Sequence, residues 1–160
     1  MEIITRNAAA TKKLGQNFAK KILNQKKQKG AVVVALEGDL GAGKTTFLQG
    51  FAKGLGIKEK ITSPTFVILK RFQLFDCKRY PKNYKNFFHI DCYRLTKPEE
   101  LFDIGWRKII YNPENIVAIE WSEKIKKIMP RGALKVKSQF IHPELGRRVD
   151  KKTRKLTIGK

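Results

Sequence analysis

The feature that most narrows the possible folds is the junction AVVVALEGDLGAGKTTFLQGFAKGLG, residues 31–56. A continuous apolar run rich in β-branched residues, Ala31 to Leu36, meets a glycine-rich turn and then an amphipathic stretch. Such a run predicts a strand covered on both faces, as in a parallel sheet. Phe47, Leu48, Phe51, Ala52 and Leu55 fall on one stripe, predicting a helix from near Lys44 to about Gly54. Between them, Gly38, Gly43, Lys44 and Thr45 fit G-x-x-x-x-G-K-[ST], the P-loop pattern. Glycines let backbone N–H groups turn inward and approach a phosphate with no Cβ in the way. The helix points its positive end at the same spot. Lys44 supplies a mobile charge for β- and γ-phosphates, and Thr45 a hydroxyl oxygen for Mg²⁺. The competing reading is a glycine turn with an incidental lysine.

The rest of the chain supplies an α/β frame. Residues 2–5 read as a short edge strand, and Asn7 as the N-cap of a helix from about Ala8 to Gln25, with Leu14, Phe18, Ala19, Ile22 and Leu23 on one face. FVILKRFQLF (66–75) and NFFHIDCYRL (86–95) read as two strands joined by a basic connection. Thr96 with Glu99 makes a capping-box pattern for a short helix through Phe102. NIVAIEW (115–121) is a second buried strand, and residues 134–140 and 154–158 alternate as an antiparallel hairpin. The expectation is one domain over residues 1–160: a P-loop NTPase-like three-layer α/β sandwich around a mixed, mostly parallel sheet with a C-terminal antiparallel hairpin.

A P-loop needs a second carboxylate near Mg²⁺, usually at a strand end. Glu120, ending IVAIE, and Asp91, in FFHIDCYRL, are the candidates. His89 reads as a packed or surface imidazole with no assigned chemistry.

Composition trims the functions. With 35 basic against 14 acidic residues the formal charge is +21, which attracts polyanions unless it is only a solvated lysine-rich surface. No run is long enough to span a membrane, the N-terminus lacks the order of a signal peptide, and Cys77 and Cys92 have no metal spacing, so a reducing cytoplasm is expected. GTP is disfavoured, because the nearest string to a guanine-reading N/T-K-x-D motif is TKPE (96–99). A small-molecule kinase remains the alternative reading, weakened because the basic connection at 78–85 holds one arginine, Arg79, and lysine cannot form a planar bidentate clamp. A third reading is an RNA-binding protein with a regulatory nucleotide pocket, though NYKNFF (83–88) is too short to serve as a stacking platform.

Several strings then converge. GDLGAGKTTF (38–47), SPTF (63–66), HIDCYRL (89–95), EELFDIG (99–105) and IEW (119–121) occur in this order, and the chain resembles the TsaE family from about Thr5 to Ile158. The resemblance implies a small ATPase of bacterial tRNA threonylcarbamoyladenosine biosynthesis that binds ATP and Mg²⁺ and hydrolyses ATP slowly alone. It implies docking on a TsaB–TsaD complex, which modifies the adenosine beside the anticodon and is reset by the ATPase; tRNA is then met indirectly. Carried over by position, nucleotide binding falls to Asp39, Gly41, Ala42, Gly43, Lys44, Thr45 and Thr46, with Gly146 and Arg147 of GRR and residues 7–11 near base and ribose. Thr45 and Glu120 match metal ligands, and Lys44, Thr65, Asp91 and Glu120 match residues of the reaction. Trp121 lies beside the site as a fluorescent reporter. The basic 76–85 connection and the region after Pro130 depart from the family pattern.

Overall fold

A computed structural model describes residues 1–26, 28–64, 67–74, 84–141 and 153–159. Its elements are β1 (Glu2–Thr5), α1 (Ala8–Leu23), β2 (Val32–Glu37), α2 (Lys44–Gly54), β3 (Leu69–Gln73), β4 (Asn86–Asp91), α3 (Glu100–Asp103), α4 (Trp106–Tyr111), β5 (Asn115–Glu120), a 3-10 helix (Ser122–Ile128), β6 (Leu134–Phe140) and β7 (Arg154–Gly159). The strands form one sheet in the order β1-β7-β6-β2-β5-β4-β3. β6, β2, β5 and β4 run parallel at its centre. β3 joins one side antiparallel, and β7 with β1 continues the other side antiparallel, so β6 and β7 form the expected hairpin.

Strand alternation divides the core into two layers. Val32, Val34 and Leu36 of β2 face α1 and α2, packing with Ala19, Ile22, Phe47, Leu48 and Phe51. Val33 and Ala35 face the other way, toward Leu101, Trp106, Ile109 and Ile125. Both faces of β2 and β5 are therefore apolar, which accounts for their unbroken hydrophobic runs. The fold is the three-layer α/β arrangement that the junction predicts.

Helices α1 and α2 touch almost backbone to backbone. A Cβ on Gly15 would lie 2.2 Å from the Phe47 carbonyl oxygen, and one on Gly50 would lie 1.9 Å from that of Lys12. Each helix thus presents a glycine to the other's main chain. Asn7 caps α1 as expected, its side-chain oxygen accepting from the Ala10 N–H at 2.8 Å.

Some boundaries differ from the sequence reading. Helix α1 ends at Leu23 rather than Gln25. The strand expected over 66–75 is confined to Leu69–Gln73; Val67 and Ile68 lie in a turn, and Phe66 and Phe75 fall outside the described residues, as does most of the basic connection. The strand expected over 86–95 stops at Asp91, where Cys92 begins a turn closed by the Leu95 N–H on the Cys92 carbonyl. The capping carboxylate is Glu100, not Glu99: its Oε1 accepts from the Thr96 N–H, the Thr96 hydroxyl and the Lys97 N–H at 2.7–2.9 Å. These bonds hold the Glu100 carboxyl below its ordinary value, those from Lys97 and Thr96 contributing most.

Candidate functional site

The glycine-rich loop leaves the C-terminal end of β2 and feeds α2. Gly38 has φ 130° and Gly43 φ 96°, both left-handed conformations that disfavour side chains. At Gly38 space forbids one as well, since a Cβ would sit 2.0 Å from the Ser138 carbonyl oxygen on β6. The Ser138 hydroxyl donates to the Ala42 carbonyl at 2.5 Å, pinning the loop from beneath. The amides of Lys44, Thr45 and Thr46 precede the first bond of α2, from the Phe47 N–H to the Gly43 carbonyl at 2.9 Å, and point out of its positive end.

Lys44 is buried inside this turn. Its ammonium donates to the carbonyls of Gly38 at 2.6 Å and Asp39 at 2.9 Å and lies 3.7 Å from the centre of the Trp121 ring. Burial lowers its pKa below the ordinary 10.5, opposed by the carboxylates of Glu120, Glu123, Asp91 and Asp39. The cation is thus partly desolvated inside an acidic surround, where its field reaches further than in water.

The two acids come from neighbouring parallel strands. Asp91 ends β4 and Glu120 ends β5, directly opposite in register. The Thr45 hydroxyl donates to Glu120 Oε2 at 2.8 Å and is 3.1 Å from Oε1. His89 Nε2 lies 2.9 Å from Glu120 Oε1, with the imidazole fully buried. The Ser63 hydroxyl donates to Asp91 Oδ2, and the Tyr93 N–H donates to Oδ1 at 2.9 Å. Beyond Glu120 the chain turns through Trp121, which has φ 58°, setting its ring over Lys44 and 5.1 Å from the Tyr93 ring. A non-glycine residue held there costs of order 1 kcal/mol or more, so the surrounding packing must enforce it.

Together these groups line a cleft of about 340 Å³ between Leu40, Gly41, Gly43, Lys44, Thr45 and Thr46 on one side and Ser63, Asp91, Tyr93, Glu120 and Trp121 on the other. A buried ammonium and free helix amides suit a polyphosphate. A hydroxyl and a carboxylate meeting at its floor are hard oxygen donors, suited to a small divalent cation. Of the residues expected from sequence, Gly41, Gly43, Lys44, Thr45, Thr46, Asp91 and Glu120 meet at the cleft. Asp39 and Ala42 do not line it: the Asp39 side chain is exposed while its carbonyl accepts from Lys44, and Ala42 is fully buried under the loop. Thr65, Gly146 and Arg147 lie outside the described residues.

Sequence reasoning passed over Ser63, Tyr93 and the placement of His89. The signal for His89 was present: it stands two residues before Asp91, so strand alternation sends both to the same face, toward Glu120 and α2. Ser63 carries no local signal, because its partner is 28 positions away.

Comparison with known proteins follows the same residues. The family profile described as "TsaE: Threonylcarbamoyl adenosine biosynthesis protein TsaE" matches residues 5–149. The chain is similar to the tRNA threonylcarbamoyladenosine biosynthesis protein TsaE of Haemophilus influenzae, at 36% identity over 80% of this chain and 75% of that one. It is also similar to the protein of that name from Treponema pallidum, at 36% identity over 81% and 84%. Among solved structures, Bacillus subtilis YdiB superposes with a TM-score of 0.69 at 25% identity, covering 99% of this chain and 83% of that one. The glycine loop, the paired strand-end acids and a profile match over most of the chain lead to one assignment: this protein belongs to the TsaE family of tRNA threonylcarbamoyladenosine biosynthesis.

Proposed function

We propose that the protein binds ATP with Mg²⁺ in the cleft, hydrolyses it slowly, and uses hydrolysis to reset a TsaB–TsaD-like transferase in the cytoplasm, meeting tRNA through that complex. The carrying observation is that Lys44, the free amides of α2 and the Thr45–Glu120 pair converge on one cleft of about 340 Å³. Lys44 and the amides of Gly41, Gly43, Lys44, Thr45 and Thr46 would hold the phosphates. Thr45 and Glu120 would hold the metal, whose remaining ligands would come from water and phosphate. Bound magnesium supplies charge neutralisation to the phosphates. Asp91, fixed by Ser63 and the Tyr93 amide, would orient the attacking water and hold its proton. Among the described residues no helix is long and apolar enough to cross a membrane.

The test separates binding from turnover. Lys44→Ala is expected to weaken ATP binding by roughly 10–100-fold, the scale of a lost bond to a charged group. Glu120→Ala is expected to lose the Mg²⁺-dependent part of binding, and Asp91→Ala to lose roughly 100-fold in turnover while binding ATP within about threefold. Tryptophan fluorescence and phosphate release read these out. Wild-type affinity retained by Lys44→Ala overturns the site, and a phosphorylated small-molecule acceptor would show the kinase instead. Recovery of TsaB and TsaD homologues with this protein, changed by ATP, tests the partner.

A further inference from the structure

A second concavity, about 600 Å³, lies away from the nucleotide cleft where α1, α2 and the segment after α2 meet. Lys12 of α1, Lys53 of α2, and Lys58 and Lys60 of the following segment all line it, together with Gln49. Lys44 opens α2 and Lys53 stands in its last turn, about 13 Å further along the axis at 1.5 Å per residue. The acid at the rim, Glu59, is engaged by Lys70 at 3.7 Å.

The charge around this groove is one-sided. No Asp or Glu occurs from Ile3 to Leu36 or from Leu40 to Lys58, so α1 and α2 carry no acid at all. The helices on the opposite face of the sheet are mixed: Glu100, Asp103 and Glu123 stand among Arg107, Lys108, Lys124, Lys126 and Lys127. A generally lysine-rich surface would not leave one helical layer without an acid while the other carries both signs. Among the described residues the groove lining also holds no aromatic residue and no arginine. Protein docking sites are anchored by such residues, and single-stranded bases stack on aromatics. Lysines acting as mobile point charges suit a phosphodiester backbone, read without sequence.

We propose that the α1–α2 groove is a docking surface for the phosphate backbone of a structured RNA. The family's pathway acts on tRNA, which makes an unmodified tRNA transcript the probe. The inference rests on that pathway and on the groove; it stands independently of the nucleotide chemistry proposed above, and it gives tRNA a direct contact with this protein.

Anisotropy of labelled tRNA against the full chain, over a salt series, tests it. The groove variant Lys12→Gln/Lys53→Gln/Lys58→Gln/Lys60→Gln is compared with Lys97→Gln/Lys108→Gln/Lys126→Gln/Lys127→Gln, which removes the same charge from the other face. Each phosphate contact adds roughly 0.9 to the slope of log affinity against log salt. The groove variant is expected to lower that slope by roughly 3 and to weaken binding at low salt at least tenfold. The other variant is expected to stay within about threefold of wild type. The pairs Lys12→Gln/Lys53→Gln and Lys58→Gln/Lys60→Gln, each taking about half of the loss, cover the case in which the fourfold variant fails to fold. ATP-induced fluorescence serves as the separate check on the nucleotide reading. Equal losses in both fourfold variants, no loss in the groove variant, or no tRNA binding by wild type with capture of an acidic protein instead would each overturn the proposal.

Discussion

His89 holds the carboxylate that the cleft depends on. It is fully buried, its Nε2 is 2.9 Å from Glu120 Oε1, and among the described residues its Nδ1 has no hydrogen-bond partner, so its polar contact there is with Glu120. Glutamine can keep an N–H directed at that oxygen; leucine fills the space and cannot. On the proposed reading, His89→Leu should raise the Mg²⁺ concentration needed for nucleotide binding by roughly tenfold, the scale seen when a ligand's supporting partner is lost, while His89→Gln stays within about threefold. Affinity for ATP without metal, unchanged in both, tells positioning from general damage. At this scale the sequence was uneven. Lys44, Thr45 and Glu120 were legible because loop and strand-end patterns are local. The Ser63–Asp91 and His89–Glu120 bonds join residues 28 and 31 apart and depend on which strands become neighbours.

Elements with a clear period were readable, and short ones were not. Helix α2 begins at Lys44 and ends at Gly54, where the apolar stripe places it. Helix α4 and the 3-10 helix, six and seven residues long, escaped notice. Each is set by a left-handed residue just before it, Gly105 at φ 83° and Trp121 at φ 58°, and a stretch so short has no room for periodicity. The α1–α2 crossing was equally hidden, because a glycine in a helix reads as a weakness until its neighbour is known. Gly50→Ala measures that contact. Alanine gains about 1 kcal/mol of helix propensity, but its Cβ would meet the Lys12 carbonyl oxygen at 1.9 Å. Backbone cannot step aside as a side chain can, so overpacking of roughly 2–3 kcal/mol wins, and denaturant midpoints should fall. Glu100 offers a pH test at the start of α3. Its lowered pKa means that its contribution to stability is present above the ordinary 4.5 and is lost as pH falls through the folded-state value. Glu100→Gln should therefore melt below wild type at pH 7, with the difference narrowing as pH falls below 4.5.

For the molecule as a whole, net charge outweighs paired charge. The formal charge is +21, whereas exposed pairs such as Lys85–Glu114 and Lys155–Glu2 contribute at most about 1 kcal/mol each. Salt weakens both, but crowding of like charges is the larger effect in the compact state. Raising KCl from 20 to 300 mM should raise Tm; a fall would show that the ion pairs matter more. The global architecture was open to sequence reading because strand, loop and helix follow one another with their polarity patterns intact. The basic connection and the GRR region lie outside the described residues.

The Lys44 ammonium spans the Gly38 and Asp39 carbonyls, so the turn is braced by its own side chain. A triphosphate arriving there would find a mould already set. The chain would surrender two internal contacts as it gained external ones, and little freedom would be lost in the exchange.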